Sequence, residues 1–296
     1  MSKYSTFNPE FNKLDISQFE NESKFIYVLV EVHKQIIELL YSVIKDRYCD
    51  SHLNSKLISK QEAVIAGNLV RMTKLNKSIL QNICDNKLEV AFILFRCLTE
   101  TAINLVYLLE KVGDEFDNAI NDYINASLTT ENDMQKAINE NIEKRGGNKL
   151  PIENRMLNSI KSSLELTSDI YSSNPNWGKF KKRATTVGAD ILYSTTYASA
   201  SHMVHGTWQD LLFNHLEEKD GKFNLRFEWK NARPQILEGV IGSNIKVILV
   251  FVEKELKSFK YFDEIKLKCK DIMRYTLLLS EMHEKFMLEI ERNKTT

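Results

Sequence analysis

The sequence predicts an all-α protein, a multi-helix bundle, on three observations. Only 10 glycines and 4 prolines punctuate 296 residues, so long elements must run between short connections. Apolar residues recur at i, i+3, i+4 and i+7 in one segment after another, which puts them on one face of a helix. With 43% hydrophobic residues, the chain can also fill a large core. The expectation is about eight or nine helices in a single domain, residues 22–296, preceded by a polar arm over residues 1–21.

The first helix runs from Glu22 to about Arg47, with Phe25, Val28, Leu29, Val32, Ile36, Leu39, Leu40 and Val43 on one side. A second spans about Lys56 to Ile83. Asp85 or Asn86 can cap a third, whose stretch Val90 to Leu109 is the most apolar in the chain and ends before Gly113. Asp114 to about Lys144 reads as a more polar helix, stopped at Gly146 and Gly147, where glycine takes a left-handed cap easily. Ile152 to Tyr171 follows. Next comes a short basic helix or turn, Trp177 to Val187, which packs Trp177 and Phe180 and exposes Lys179, Lys181, Lys182 and Arg183. Ala189 to Leu216 reads as one long helix. The Asp220-Gly221 pair and alternating Phe223, Leu225, Phe227 and Trp229 predict a small β-hairpin or flap. Pro234 opens a helix over about Gln235 to Phe259, and a last one runs from about Asp263 to Arg292.

Forty basic residues balance forty acidic ones, which removes the overall positive field of a protein that coats nucleic acid unselectively. A local basic patch such as KFKKR is still compatible with phosphate contacts. The four cysteines have no CxxC spacing and read as reduced thiols of a cytosolic protein, with neither a disulfide framework nor a zinc knuckle. The N-terminal residues lack the apolar centre of a signal peptide, and the longest apolar run is broken by Arg96 and Glu100, so no membrane association is expected. There is no P-loop, Rossmann fingerprint, EF-hand or nucleophile elbow.

Arg96, Glu100 and Asn104 stand four residues apart and form a polar stripe on the otherwise apolar third helix. Tyr197, Ser201 and His205 form a second stripe at the same spacing, on a helix whose Ala198, Ser199 and Ala200 allow close approach. Two such stripes can meet inside a bundle, where sites are commonly built from facing helices. Taken singly, Arg96 and Glu100 make a structural ion pair, and Ser201 with His205 a hydrogen-bonded pair. Gathered together they make a candidate site, with Arg96, Glu100, Ser201 and His205 as chemical groups. Asn104, Tyr197, Lys181, Lys182 and Arg183 would then bind substrate. His202 and His205 with Glu100 are a weak metal pattern, so neither a metal nor another cofactor is assigned.

LYSTTYASASHMVHGTW, with FRCLTETAINLVYLL and KFKKRATTVGADILY upstream, resembles a widespread bacterial helical family of unknown function marked by R-x-x-x-E and S-x-x-x-H-G helices. The matching residues are Arg96, Glu100, Ser201, His205 and Gly206, within roughly Asn86 to Leu216. The resemblance implies a fold and no established activity. A weaker similarity is to the HEPN nucleases, which cut RNA without metal through an R-x(4-6)-H motif; here no His follows Arg96 and His205 lies on another helix. By that analogy the expected function is a metal-independent ribonuclease of toxin or antiphage type. His205 would move the proton, Arg96 would meet phosphate charge and Glu100 would orient one of them. RNA or a nucleotide, a second copy of the chain or another protein are the expected partners. The alternative is a non-catalytic helical module that binds a protein or small ligand through the same seam.

Overall fold

The computed structural model describes Tyr4 and residues 19–50, 52, 54–168, 170 and 175–295. In chain order these form α1 (Glu22–Tyr48), α2 (Lys60–Cys84), α3 (Leu88–Leu109), α4 (Asp114–Lys144), α5 (Pro151–Leu166), α6 (Phe180–Thr186) and α7 (Asp190–Leu192). A π-helical segment, Tyr193–Tyr197, leads into α8 (Ala198–His205) and α9 (Trp208–Asp210), and a second π-helical segment covers Leu211–His215. Strands β1 (Leu216–Lys219) and β2 (Lys222–Leu225), then α10 (Pro234–Glu255) and α11 (Phe262–Thr295), complete the chain. It is thus an all-helical bundle with one small hairpin among the described residues. Most of the expected arm, residues 1–21, lies outside them.

Local chemistry explains the boundaries. Asn21 caps α1 by accepting from the Ser23 amide, and Ser59 with Glu62 forms a reciprocal capping box on α2. In the hairpin, Asp220 and Gly221 both take positive φ, 53° and 74°, the turn that matches strand twist. Leu216 pairs with Leu225 and Lys219 with Lys222. Phe227 and Trp229, expected in the flap, follow the second strand.

Contacts divide the chain into two units, Met1–Leu109 with Arg183–Thr296, and Glu110–Lys182. In the second, α4 and α5 share a small core of Ile138, Ile142 and Ile160, completed by Met156, Leu157 and Leu164. Arg145 pairs with Glu153 across the turn between them.

In the first unit, α1 packs on α2, α10 and α11, and α3 lies between α2 and α10. Both α3 and α10 are long and apolar enough to cross a membrane by length and composition alone, and most of each is buried inside the fold. Gly239 of α10 makes their close approach possible, since a Cβ there would stand 2.6 Å from Cζ of Phe95. Between α1, α2 and α10 lies a buried polar relay. His33 Nε2 meets Asn76 Oδ1 at 2.9 Å, and Asn76 and Asn244 exchange amide hydrogen bonds at 2.8 Å.

Burial pushes His33 down to about 4, against a smaller opposing effect of its Asn76 bond. The unfolded chain therefore takes up a proton near its ordinary pKa while the native state does not until about pH 4. Acidification over that window is expected to cost about 3 kcal/mol of stability, and His33→Leu to flatten the dependence, as read by urea unfolding at stepped pH.

Two expectations need correction. The single helix over Ala189 to Leu216 is divided, because Gly206 adopts a left-handed cap (φ 56°) after His205 and the flanking turns are π-helical. Arg183, expected among the exposed basic residues, is buried, because it shares the inner face of α6 with Ala184 and, one turn on, Val187.

Candidate functional site

The polar stripe of α3 does face the segment after residue 190: α3 packs against both the first π-helical segment and α8. Arg96 lies over the Tyr197 ring, 4.6 Å from its centroid, and an Nη donates to the Tyr197 hydroxyl at 3.1 Å. One and two turns further along α3 are Glu100 and Asn104. Arg183 donates from Nε to Asn104 Oδ1 at 3.0 Å. Burial lowers the pKa of Arg183, and the charge of Glu100 holds it up. Arg96, Glu100, Asn104, Tyr197 and Arg183 therefore form one polar seam, with two cations to one carboxylate.

The remaining sequence-expected residues have other partners or face solvent. Ser201 donates to the Tyr197 carbonyl of its own helix at 2.7 Å, a local bond that uses up its hydroxyl hydrogen. His205 is exposed and, among the described residues, forms no hydrogen bond or ion pair. His202 meets Thr207 Oγ1 at 3.0 Å. Lys181 and Lys182 are exposed.

At the other end of α3 is a cluster that the sequence reading did not assemble. Glu89, Asp210 and His215 each offer one ligand atom, all within 4.8 Å of one another. His215 Nε2 is 3.5 Å from Glu89 Oε1 and 3.6 Å from Asp210 Oδ2. Atoms bound at roughly 2.0–2.2 Å to one ion stand about 2.8–3.6 Å apart at right or tetrahedral angles, and both His215 spacings fall in that range. Asp210 is 4% exposed, and Asn214 donates to its Oδ1 at 2.8 Å, leaving Oδ2 toward His215. The π-helical segment explains the pairing. His215 lies five positions after Asp210, a spacing that an α-helix would turn to different faces and an i→i+5 turn stacks on one.

Glu89 and His215 also line a pocket of about 220 Å³ with Arg226, Phe227, Trp229 and Lys230. The backbone draws these together: the Leu88 amide donates to the Lys230 carbonyl and the Arg226 amide to the His215 carbonyl. Lys230 stands 3.5 Å from the centroid of the Phe213 ring. Its ammonium pKa is lowered by burial, then by Arg226 and Arg233 nearby. Neither Arg226 nor Lys230 forms an ion pair among the described residues, and Glu228 lines the same pocket, so the two cations share it with the carboxylates of Glu89 and Glu228.

A family of unknown function, DUF5677, matches residues 62–223, more than half of the chain. The chain belongs to the DUF5677 family. The matched segment contains Glu89, Asp210, His215 and every residue of the seam, and it ends before Arg226 and Lys230. The family's description assigns no activity, so the HEPN analogy draws nothing from it. No curated protein and no solved structure matches the chain.

The sequence did hold a signal for one of the three residues of the cluster. Glu89 precedes Arg96 by seven residues, two helical turns, and so lies on the same face of α3 as the stripe. Asp210 and His215 had none at α-helical spacing.

Proposed function

We propose that the chain is a divalent-cation-dependent phosphoesterase acting on RNA or a nucleotide, with Glu89, Asp210 and His215 holding the cation. The observation that carries this reading is the Glu89–Asp210–His215 cluster, two of whose members, Glu89 and His215, line a pocket beside Arg226 and Lys230. Two carboxylates and an imidazole suit Mn²⁺, Fe²⁺ or Zn²⁺ better than Ca²⁺, which prefers an all-oxygen shell. Bound there, the cation would polarise a phosphoryl oxygen and acidify a water. Arg226 can grip phosphate oxygens with its forked donors and Lys230 can add a point charge. Phe227 and Trp229, both largely exposed, offer ring faces on which a base can stack.

The metal-free ribonuclease expected from Arg96, Glu100, Ser201 and His205 keeps support in the Arg96–Tyr197 contact, and a toxin or antiphage setting rests on the sequence resemblance alone. One experiment separates the two. The full chain is incubated with a labelled RNA and a mononucleotide panel, with Mn²⁺ or with EDTA, alongside His205→Ala. Cleavage that needs Mn²⁺ and survives His205→Ala is the expected result. Cleavage that persists in EDTA and is lost in His205→Ala would move the chemistry to the seam. No turnover of any substrate with any cation would leave a binding module.

A further inference from the structure

The hairpin of β1 and β2 is a sheet of two strands, so each strand has one edge with no neighbouring strand among the described residues. A ribbon of two strands is marginally stable by itself, and an open edge is a template for another strand. The two edges differ in what they can accept.

The ladder fixes what each edge presents. The Arg226 amide donates to the His215 carbonyl, and Leu216 lies opposite Leu225, Glu217 opposite Asn224 and Glu218 opposite Phe223. In an antiparallel pair, residues that exchange hydrogen bonds alternate with residues whose amides and carbonyls point outward. Phe223 and Leu225 therefore offer their backbone groups at the β2 edge, and Leu216 and Glu218 theirs at the β1 edge. The side chains at the β2 edge are apolar and open to solvent: Phe223 is 47% exposed, Leu225 72%, and Phe227, next in the same alternation, 85%. Trp208 meets the Phe223 ring edge-on at 5.6 Å and ties the strand to α9.

A second copy of the chain is the occupant that the charges fit. When a strand pairs antiparallel with its own copy about a twofold axis, outward residues must face outward residues. At β1, every such register that overlaps the strand beyond its first residue sets Glu217 against Glu217 or Glu218 against Glu218, and like charges directly opposite repel. At β2, the register centred on Leu225 sets Phe223 against Phe227, Asn224 against Arg226 and Lys222 against Glu228, each pair occurring twice. One face of that pairing is apolar and the other joins opposite charges. Neither Lys222 nor Glu228 forms an ion pair among the described residues, so both are available to the second copy. Centring on Asn224 instead would oppose Lys222 to Arg226.

We propose that two copies of this chain associate by antiparallel pairing of their β2 edges, with Leu225 on the twofold axis, which turns two ribbons into one four-stranded sheet. Phe227 and Glu228 also line the pocket beside Glu89 and His215, so the second copy stands at the rim of that pocket, and one face of the Phe227 ring is left to it. The association needs no cation there.

Sedimentation of the full chain, from micromolar to hundreds of micromolar, is expected to show a monomer–dimer equilibrium. Lys222→Glu and Glu228→Lys each replace two attractive pairs by two repulsive ones and should weaken the dimer about tenfold, while the double substitution reverses both charges and should restore it. All three variants should melt close to wild type. A chain that stays monomeric throughout overturns the proposal. So does a dimer that neither single substitution weakens, or one that the double substitution fails to restore.

Discussion

Asp210→Asn is expected to abolish Mn²⁺-dependent RNA cleavage, with a loss of at least 100-fold in kcat/KM while the melting temperature stays within a few degrees. The amide keeps the shape of the side chain and its contact with Asn214, but gives up the anionic oxygen that faces His215. Removing a ligand carboxylate takes away both charge and a coordination bond, whereas changing an outer partner such as Asn214 typically costs only 10–100-fold. Asn214→Ala should accordingly fall between wild type and Asp210→Asn. Activity of Asp210→Asn equal to wild type would remove the cluster from the mechanism.

Arg183→Met is expected to destabilise the first unit by about 2–4 kcal/mol, because truncating one partner of a buried polar group strands the others. The substitution keeps volume while leaving Asn104 Oδ1 without its 3.0 Å donor and removing one of the two cations near Glu100. Urea unfolding reads the loss directly. A midpoint unchanged from wild type, together with lost RNA binding, would show that Arg183 serves a ligand instead of the fold. If the destabilisation appears and the cleavage rate of the folded fraction is unaltered, the seam is a structural device that fixes the register of α3 against the segment carrying Asp210 and His215.

That contrast explains what periodicity in the chain could and could not reveal. The long amphipathic helices were legible because a 3.6-residue repeat of apolar side chains has one geometric meaning, and the Asp220-Gly221 hairpin because few turns tolerate two positive φ values. The facing of the α3 stripe and Tyr197 was legible for the same reason. What failed was the assumption of one uninterrupted α-helix over Ala189 to Leu216. Gly206 turns the chain after His205, which leaves that imidazole in solvent, and the next π-helical segment changes which residues share a face. Arg183 was misread for another reason: a cation among lysines resembles its neighbours in sequence, and tertiary partners, Asn104 and Glu100 among them, make its burial tolerable.

Calorimetric titration of Mn²⁺ into the full chain, beside Asp210→Asn and His215→Ala, tests the central claim most directly. One cation per chain, with affinity reduced at least tenfold in each variant, is the predicted result. Undetectable binding to wild type, or equal binding in all three proteins, would contradict it.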